Sequence, residues 1–213
     1  MRNSLARLLR IARDRASRLS PRHRRFRRFN LQLQASSSWQ LRAERAVELW
    51  VRNAHVLSQG ADDSITIGDL GCGNERLRAV LARHLGDRFS YQGYDLLPQT
   101  PTTSKLDLQR ELPNRSFDLV FCLGLLEYMT DLEAVLLRLR RISDFAIVSY
   151  AISDSPTELS EAEREARGWL SHHSRADFSE LGTRAGWLTR DFLLIDQGRT
   201  GLWLWASGAE ASS

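Results

Sequence analysis

The 213-residue sequence predicts an α/β fold, a doubly wound, Rossmann-like and mostly parallel seven-stranded sheet that ends in an antiparallel hairpin. Three observations predict it. Strand and helix patterns alternate from Ile65 onward, a turn containing Gly71 and Gly73 follows the first strand, and only residues 197–201 separate the last two strands. That connection is too short for a parallel crossover, so the last two strands must pair antiparallel.

Seven segments have the apolar, β-branched pattern of strands, and helical patterns lie between them. The predicted strands cover residues 64–69, 89–94, 103–107, 117–123, 144–150, 187–196 and 201–207. The predicted helices cover residues 75–85, 131–141 and 174–185. A further helix is predicted over 38–58, with an apolar face of Trp39, Ala43, Ala46, Val47, Trp50, Val51 and Ala54. The charged run 158–167 is most simply an exposed helix.

The charge distribution divides the chain into an arginine-rich arm, residues 1–35, and a domain, residues 36–213. Residues 1–30 contain eleven arginines and Asp14, a net charge of +10, so the remainder must carry −6 to give the total of +4. Residues 1–20 have the spacing of an amphipathic helix. Such a helix suits an anionic membrane surface, a nucleic acid or a targeting role, although a solvated extension fits the same composition.

Several classes of protein are disfavoured by composition. No apolar run approaches the roughly 20 residues that span a bilayer, and no secretory signal follows the N-terminus. Cys72 and Cys122 make no disulfide framework, and no cysteine and histidine cluster has metal-ligand spacing. We therefore expect a cytoplasmic protein that binds no metal.

The segment Ile65–Asn74 predicts a cofactor site. A β-branched strand runs directly into the glycines of this segment, which lets backbone approach a ligand at the carboxyl end of the strand. The next predicted strand ends at Asp95, and a carboxylate in that place meets a ribose in doubly wound sheets. A nicotinamide cofactor is one alternative, but Leu77 and Arg78 occupy the region of the third glycine that it would require.

Four blocks of the sequence resemble the class I S-adenosylmethionine-dependent methyltransferases, over about residues 38–207. The blocks are 68–74 (Gly-Asp-Leu-Gly-Cys-Gly-Asn), 94–95 (Tyr-Asp), 106–108 (Leu-Asp-Leu) and 116–128 (Ser-Phe-Asp-Leu-Val-Phe-Cys-Leu-Gly-Leu-Leu-Glu-Tyr). The resemblance implies S-adenosylmethionine as the cofactor and a sheet with the hairpin at its edge. It also implies a set of cofactor-binding residues: Asp69, Gly71, Cys72, Gly73, Asn74, Asp95, Leu96, Asp107, Leu108, Leu123, Gly124 and Tyr128.

The resemblance gives particular roles to the acidic residues. Asp95 would hold the ribose hydroxyls, Asp107 with the Leu108 amide would contact adenine, and Asp69 would lie beside the cofactor's ammonium group. One position departs from the family pattern, because Glu75 stands where many relatives have a third glycine. We expect its carboxylate to point outward and to pair with Arg76 or Arg78.

The acceptor is less well marked than the cofactor. His172, His173 and Tyr150 are the candidate catalytic residues, with Glu127 a lesser candidate, since a hydroxyl acceptor needs a base. The interpretation is methyl transfer to oxygen or nitrogen of a small-molecule or glycan-type acceptor. Two alternatives remain open at this point. They are an RNA or protein methyltransferase that docks through the basic arm, and a non-catalytic cofactor-binding module.

Overall fold

In the computed structural model, which describes residues 37–57 and 64–208, the chain forms one seven-stranded sheet with helices on both faces. The strand order is β3-β2-β1-β4-β5-β7-β6. In chain order the strands are β1 Ile65–Leu70, β2 Phe89–Asp95, β3 Ser104–Lys105, β4 Phe117–Cys122, β5 Ser143–Ala151, β6 Trp187–Ile195 and β7 Thr200–Ser207. The predicted arm over residues 1–35 lies outside the described residues.

The strand directions confirm the predicted fold class. β1 pairs in parallel with β2 and β4, β2 with β3, and β4 with β5. β7 lies between β5 and β6 and is antiparallel to both, so the last two strands form the predicted hairpin. As a result, the carboxyl ends of the five parallel strands meet at one edge of the sheet.

The helices begin and end within a few residues of their predicted bounds. They are α1 Ser37–Leu57, α2 Arg76–Leu85, α3 Leu132–Leu139, α4 Glu161–Ala166 and α5 Arg175–Arg184, with short 3₁₀ helices at Leu126–Tyr128 and Asp196–Gly198. α4 and α5 both start at a capping box, in which Ser160 bonds reciprocally with Glu163, and Ser174 with Asp177. None of the helices among the described residues is long and apolar enough to cross a membrane.

Two apolar cores enclose the sheet. On one face, α1 and α2 pack with buried residues that include Ala46, Val47, Leu81 and Phe121. On the other face, α3 and α5 pack against an aromatic group that includes Tyr150, Phe178, Trp187, Trp203 and Trp205. With both faces covered, the strands are largely apolar, as is typical of parallel sheets.

Three local predictions were wrong. β3 spans two residues rather than 103–107, because it is an edge strand that pairs only with the end of β2. On α1, Val51 is exposed, while Leu49 is buried. In the charged run 158–167, Arg164 is buried, and its guanidinium donates to the carbonyls of Leu159, Ala151 and Ile152 at 2.9–3.3 Å.

Candidate functional site

The loop after β1 wraps tightly around the end of β2. Gly71 and Gly73 have φ values of +77° and +55°, a backbone conformation that glycine adopts far more readily than other residues. The amides of Gly71 and Cys72 both donate to the Tyr94 carbonyl, at 2.8 and 3.0 Å. A Cβ atom on Gly71 would lie 3.1 Å from the Leu125 side chain, so the loop has little room for a larger residue.

Asp95 ends β2, and its carboxylate accepts two backbone hydrogen bonds. Oδ2 accepts from the Gly73 amide at 3.0 Å, and Oδ1 accepts from the Leu97 amide at 2.8 Å. Burial raises the pKa of this carboxyl, and the two amide donors act in the opposite direction. Because an ionised carboxylate has about four acceptor positions, Asp95 can accept two further hydroxyl donors. The glycine loop and Asp95 therefore fit a ribose.

Asp69 points into the sheet face that packs against α2. Its carboxylate is buried and accepts a hydrogen bond from the Tyr91 hydroxyl at 2.7 Å. Burial raises the pKa of Asp69 to about 7; the Tyr91 hydrogen bond lowers the pKa, and the charges of Asp95 and Glu75 raise it. Close by, the Cys72 sulfur lies 3.5 Å from the Thr103 hydroxyl, and burial raises the pKa of the thiol. Asn74 is exposed.

The raised pKa of Asp69 predicts a pH-dependent stability. The unfolded carboxyl ionises near 3.8, whereas the folded one keeps its proton until about pH 7. The folded state therefore binds more protons in this window, and the free energy of unfolding falls as pH rises through it, by up to about 1.4 kcal/mol per pH unit. We expect Asp69→Asn to remove this component, which urea unfolding at pH 5 and pH 7.5 can measure. Identical slopes for the variant and the unchanged protein would contradict the assignment.

Glu75 differs from its predicted orientation. It is the N-cap of α2, with a φ of +59°, and its side chain is buried rather than outward-facing. The carboxylate accepts hydrogen bonds from the hydroxyls of Thr100, Thr102 and Thr103 at 2.7–2.9 Å. The expected pairing with Arg78 is present, at 3.5 Å. The threonine hydroxyls compensate for a backbone conformation that costs a non-glycine residue about 1–2 kcal/mol.

The segment after β3 brings Asp107 close to Leu96. A cavity of about 430 Å³ lies here, lined by Leu96, Lys105, Asp107, Arg110 and Glu111. Asp107 Oδ1 accepts from the Gln109 amide at 3.2 Å, and its Oδ2 lies 3.4 Å from Arg110 Nε. Leu108 is buried, and its carbonyl accepts from Arg138 at 3.0 Å.

The strand order and the glycine loop can be compared with solved structures. No protein-family model matches the chain, and no curated protein matches it. A chain in the complex of the Haloferax volcanii methyltransferase activator Trm112 with a methyltransferase is 18% identical, with a TM-score of 0.60 over 82% of this chain and 96% of that one. Magnesium protoporphyrin IX methyltransferase from Synechocystis PCC 6803, solved with S-adenosylhomocysteine, is 17% identical, with a TM-score of 0.56 over 86% and 93%.

The chain has the class I S-adenosylmethionine-dependent methyltransferase fold. The fold by itself does not fix the reaction. The [4+2]-cyclase SpnF is also similar, at 11% identity and a TM-score of 0.56 over 75% of this chain and 82% of that one. The reaction therefore depends on the particular residues of the site.

In the methyltransferase fold of this chain, α1 covers the end of β4. Leu123 is buried, and Gly124 follows it with a φ of +63°. The Gly124 amide donates to Ser149 Oγ at 2.7 Å. A Cβ atom on Gly124 would overlap the Trp39 ring and lie 3.0 Å from Arg42 Nη1. Glycine is therefore required where α1 meets this edge of the sheet.

Glu127, three residues after Gly124, has a buried carboxylate. Its Oε1 accepts from the Ala151 amide at 2.9 Å, whereas its Oε2 has no hydrogen-bond partner within residues 37–57 and 64–208. Burial raises the pKa of Glu127, and the positive charges of Arg42 and Arg164 oppose that rise. The adjacent Tyr128 is half-buried and hydrogen bonds with Trp169, and burial raises the pKa of its phenol.

The three candidate catalytic residues have different surroundings. Tyr150 is fully buried, its hydroxyl donates to Ser171 Oγ at 3.0 Å, and its ring stacks on Phe178 at 4.3 Å. This environment is that of a packing residue and gives no support for Tyr150 as a base. His173 is half-buried beside Tyr150, and burial lowers its pKa. His172 is exposed.

The structure adds residues that the sequence did not single out for the site. Trp39 and Arg42 lie one helical turn apart on α1, and the Arg42 guanidinium lies 4.5 Å from the Trp39 ring centre. Their i, i+3 spacing in the sequence indicates that the two side chains share one face of the helix. Arg199 lies in the hairpin connection, where no pattern marks it. Across the described ranges, no group of three or more His, Cys, Asp or Glu is placed to hold a metal.

Proposed function

We propose that the protein binds S-adenosylmethionine across the carboxyl ends of β1 and β2 and methylates oxygen or nitrogen of a small-molecule or glycan-type acceptor. The observation that carries the proposal is the Asp95 carboxylate, which lies between the amides of Gly73 and Leu97 with acceptor capacity left for ribose hydroxyls. The positive φ values of Gly71 and Gly73 support it, because backbone can approach a ligand there.

The rest of the cofactor would contact the neighbouring strand ends. Asp107 and the Leu108 amide are proposed for adenine, next to the cavity that Leu96 lines. Asp69, Cys72, Asn74, Leu123, Gly124 and Tyr128 complete the proposed set. When bound, S-adenosylmethionine supplies a methyl group on a positively charged sulfur, so the donor is already activated. The protein then has to align the acceptor and exclude water.

Glu127 is the residue that we propose as the base for a hydroxyl acceptor. It is buried, its Oε2 is unpartnered among the described residues, and its raised pKa brings it closer to the working range of a base. Oε2 would take the acceptor's proton, while the acceptor oxygen would replace the cofactor's sulfur on the methyl carbon, with the carbon–sulfur bond broken and S-adenosylhomocysteine released. His173 remains a second candidate, since its lowered pKa keeps the imidazole neutral.

The proposal is tested by binding and by turnover. Calorimetry with S-adenosylmethionine and with NAD is expected to show binding of the first only. Transfer of a labelled methyl group to small-molecule and glycan fractions then identifies the acceptor. For a hydroxyl acceptor, Glu127→Gln should leave cofactor affinity unchanged and lower kcat by about 10²–10⁴-fold. Glu165→Gln, at an exposed position of α4, is the matched control.

Other outcomes favour the alternatives. Cofactor binding without methyl transfer to any fraction would favour the non-catalytic module. If residues 1–30 are removed, turnover of a small acceptor should be unchanged. A strong loss of binding with a steep salt dependence would instead favour docking of RNA through the arm.

A further inference from the structure

Two arginines beside the β6–β7 turn have buried donors that no hydrogen bond uses. Nε of Arg42 and Nε of Arg199 are both buried and have no partner within the part of the chain that the structure describes. The large majority of buried side-chain polar atoms in folded proteins are hydrogen-bonded, so each of these donors is available to an acceptor atom.

Both arginines contact Asp196, Arg42 through its side chain and Arg199 through its backbone. Arg42 Nη2 donates to Asp196 Oδ2 at 2.7 Å, and the Arg199 amide donates to the Asp196 carbonyl at 3.2 Å. The Arg199 carbonyl in turn accepts from the Ile152 amide at 3.0 Å, just beyond the end of β5. Since Arg42 also lies over Gly124, both arginines stand at the sheet edge that carries the proposed cofactor site.

Two further arginines lie close to this turn. Arg164 and Arg167 both lie over the Trp169 ring, with guanidinium carbons 5.9 and 5.5 Å from its centre. Burial lowers the pKa of Arg167, and the positive charges of Arg199 and Arg164 act in the same direction. We call Arg42, Arg164, Arg167 and Arg199 the arginine pocket.

Four carboxylates lie near these four arginines. Asp196 pairs with Arg42, and Glu158 lies 3.6 Å from Arg164. Glu163 uses its carboxylate in the α4 capping box with Ser160, although its charge also acts on Arg167 and Arg199. Glu127 is the fourth, since the charges of Arg42 and Arg164 act on it, yet none of the four carboxylates accepts from Nε of Arg42 or Nε of Arg199.

We propose that the arginine pocket binds an anionic group of the methyl acceptor, a carboxylate or a phosphate, through Arg199 and Arg42. This inference rests on the proposed function, because it names the class of acceptor for the same site. Guanidinium groups present planar forks of donors that match the oxygens of carboxylates and phosphates. An acceptor anchored in this way would place its reacting atom towards Glu127 and Gly124.

The test uses the full chain with acetate and with inorganic phosphate as probes, titrated against chloride at constant ionic strength. Thermal unfolding should show stabilisation by at least one probe, and which of the two acts distinguishes a carboxylate site from a phosphate site. Arg199→Met should weaken the apparent affinity at least about fivefold, as expected when one charged hydrogen bond is lost. Arg190→Met, at an exposed position of β6, should change nothing.

Three results would overturn the inference. They are no stabilisation by either probe beyond chloride, equal effects in the Arg199→Met variant, and loss of the effect when S-adenosylhomocysteine is saturating, which would put the anion in the cofactor site. If Arg199→Met does not fold, Arg199→Lys replaces it, with the same expected weakening because lysine lacks the planar fork. Cofactor calorimetry on the same samples separates the two proposals. Binding of S-adenosylmethionine without binding of either anion would overturn only this inference, whereas no binding of S-adenosylmethionine would overturn the proposed function and, with it, the anion's role as part of a methyl acceptor.

Discussion

Replacing Asp95 with alanine should weaken binding of S-adenosylmethionine by about 10- to 150-fold. Loss of hydrogen bonds to a charged acceptor costs about 1.5–3 kcal/mol, and each 1.4 kcal/mol is tenfold in affinity. The variant also leaves the amides of Gly73 and Leu97 without their acceptor, so the loop loses its fixed position. Titration calorimetry with S-adenosylmethionine measures the change.

Asp87→Ala is the matched control for this experiment. Asp87 is exposed and precedes β2, at the opposite edge of the sheet from Asp95. The control should bind the cofactor as the unchanged protein does. Near-native affinity in Asp95→Ala, with the fold intact by circular dichroism, would exclude Asp95 from the site.

Replacing Gly124 with alanine should lower the free energy of unfolding by about 2–5 kcal/mol. A left-handed backbone conformation costs about 1–2 kcal/mol for a residue with a Cβ, and forcing an atom into a filled site costs about 1–3 kcal/mol more. The new Cβ would overlap the Trp39 ring, so α1 could not keep its present position. Urea or guanidinium unfolding measures the loss.

Gly168→Ala separates the two contributions. Gly168 has a φ of +78°, and a Cβ there would meet nothing within 4 Å. This control therefore keeps the backbone cost, about 1–2 kcal/mol, without the overlap. Equal losses in the two variants would show that the Trp39 contact contributes nothing to stability.

Much of the fold can be predicted from the sequence because its signals are local. Each buried strand is an apolar run, and the short connection between the last two strands, residues 196–199 in the structure, allows only a hairpin. The short β3 is harder to predict, since an edge strand of two residues has no periodicity. Burial of Arg164 likewise cannot be predicted from the sequence, because it depends on carbonyls that the fold brings to the guanidinium.

The candidate site also contains residues whose positions can be predicted from the sequence and residues whose positions cannot. The glycines and Asp95 follow strand patterns directly, so their positions at the sheet edge can be predicted. The orientation of Glu75 could not be, because the threonines that bond to it are 25–28 residues away in the sequence. Arg42 and Arg199 are 157 positions apart, and the fold brings both into contact with Asp196.

The buried Glu75 has a mechanical consequence. Its carboxylate ties the turn after β1 to residues 100–103, which lead from β2 to β3. These two segments would form the walls on the ribose side of the proposed cofactor site, and the hydroxyls hold them to each other. Any opening that admits or releases reactants should therefore occur on the far wall, where the indoles of Trp39 and Trp169 rest against arginine side chains.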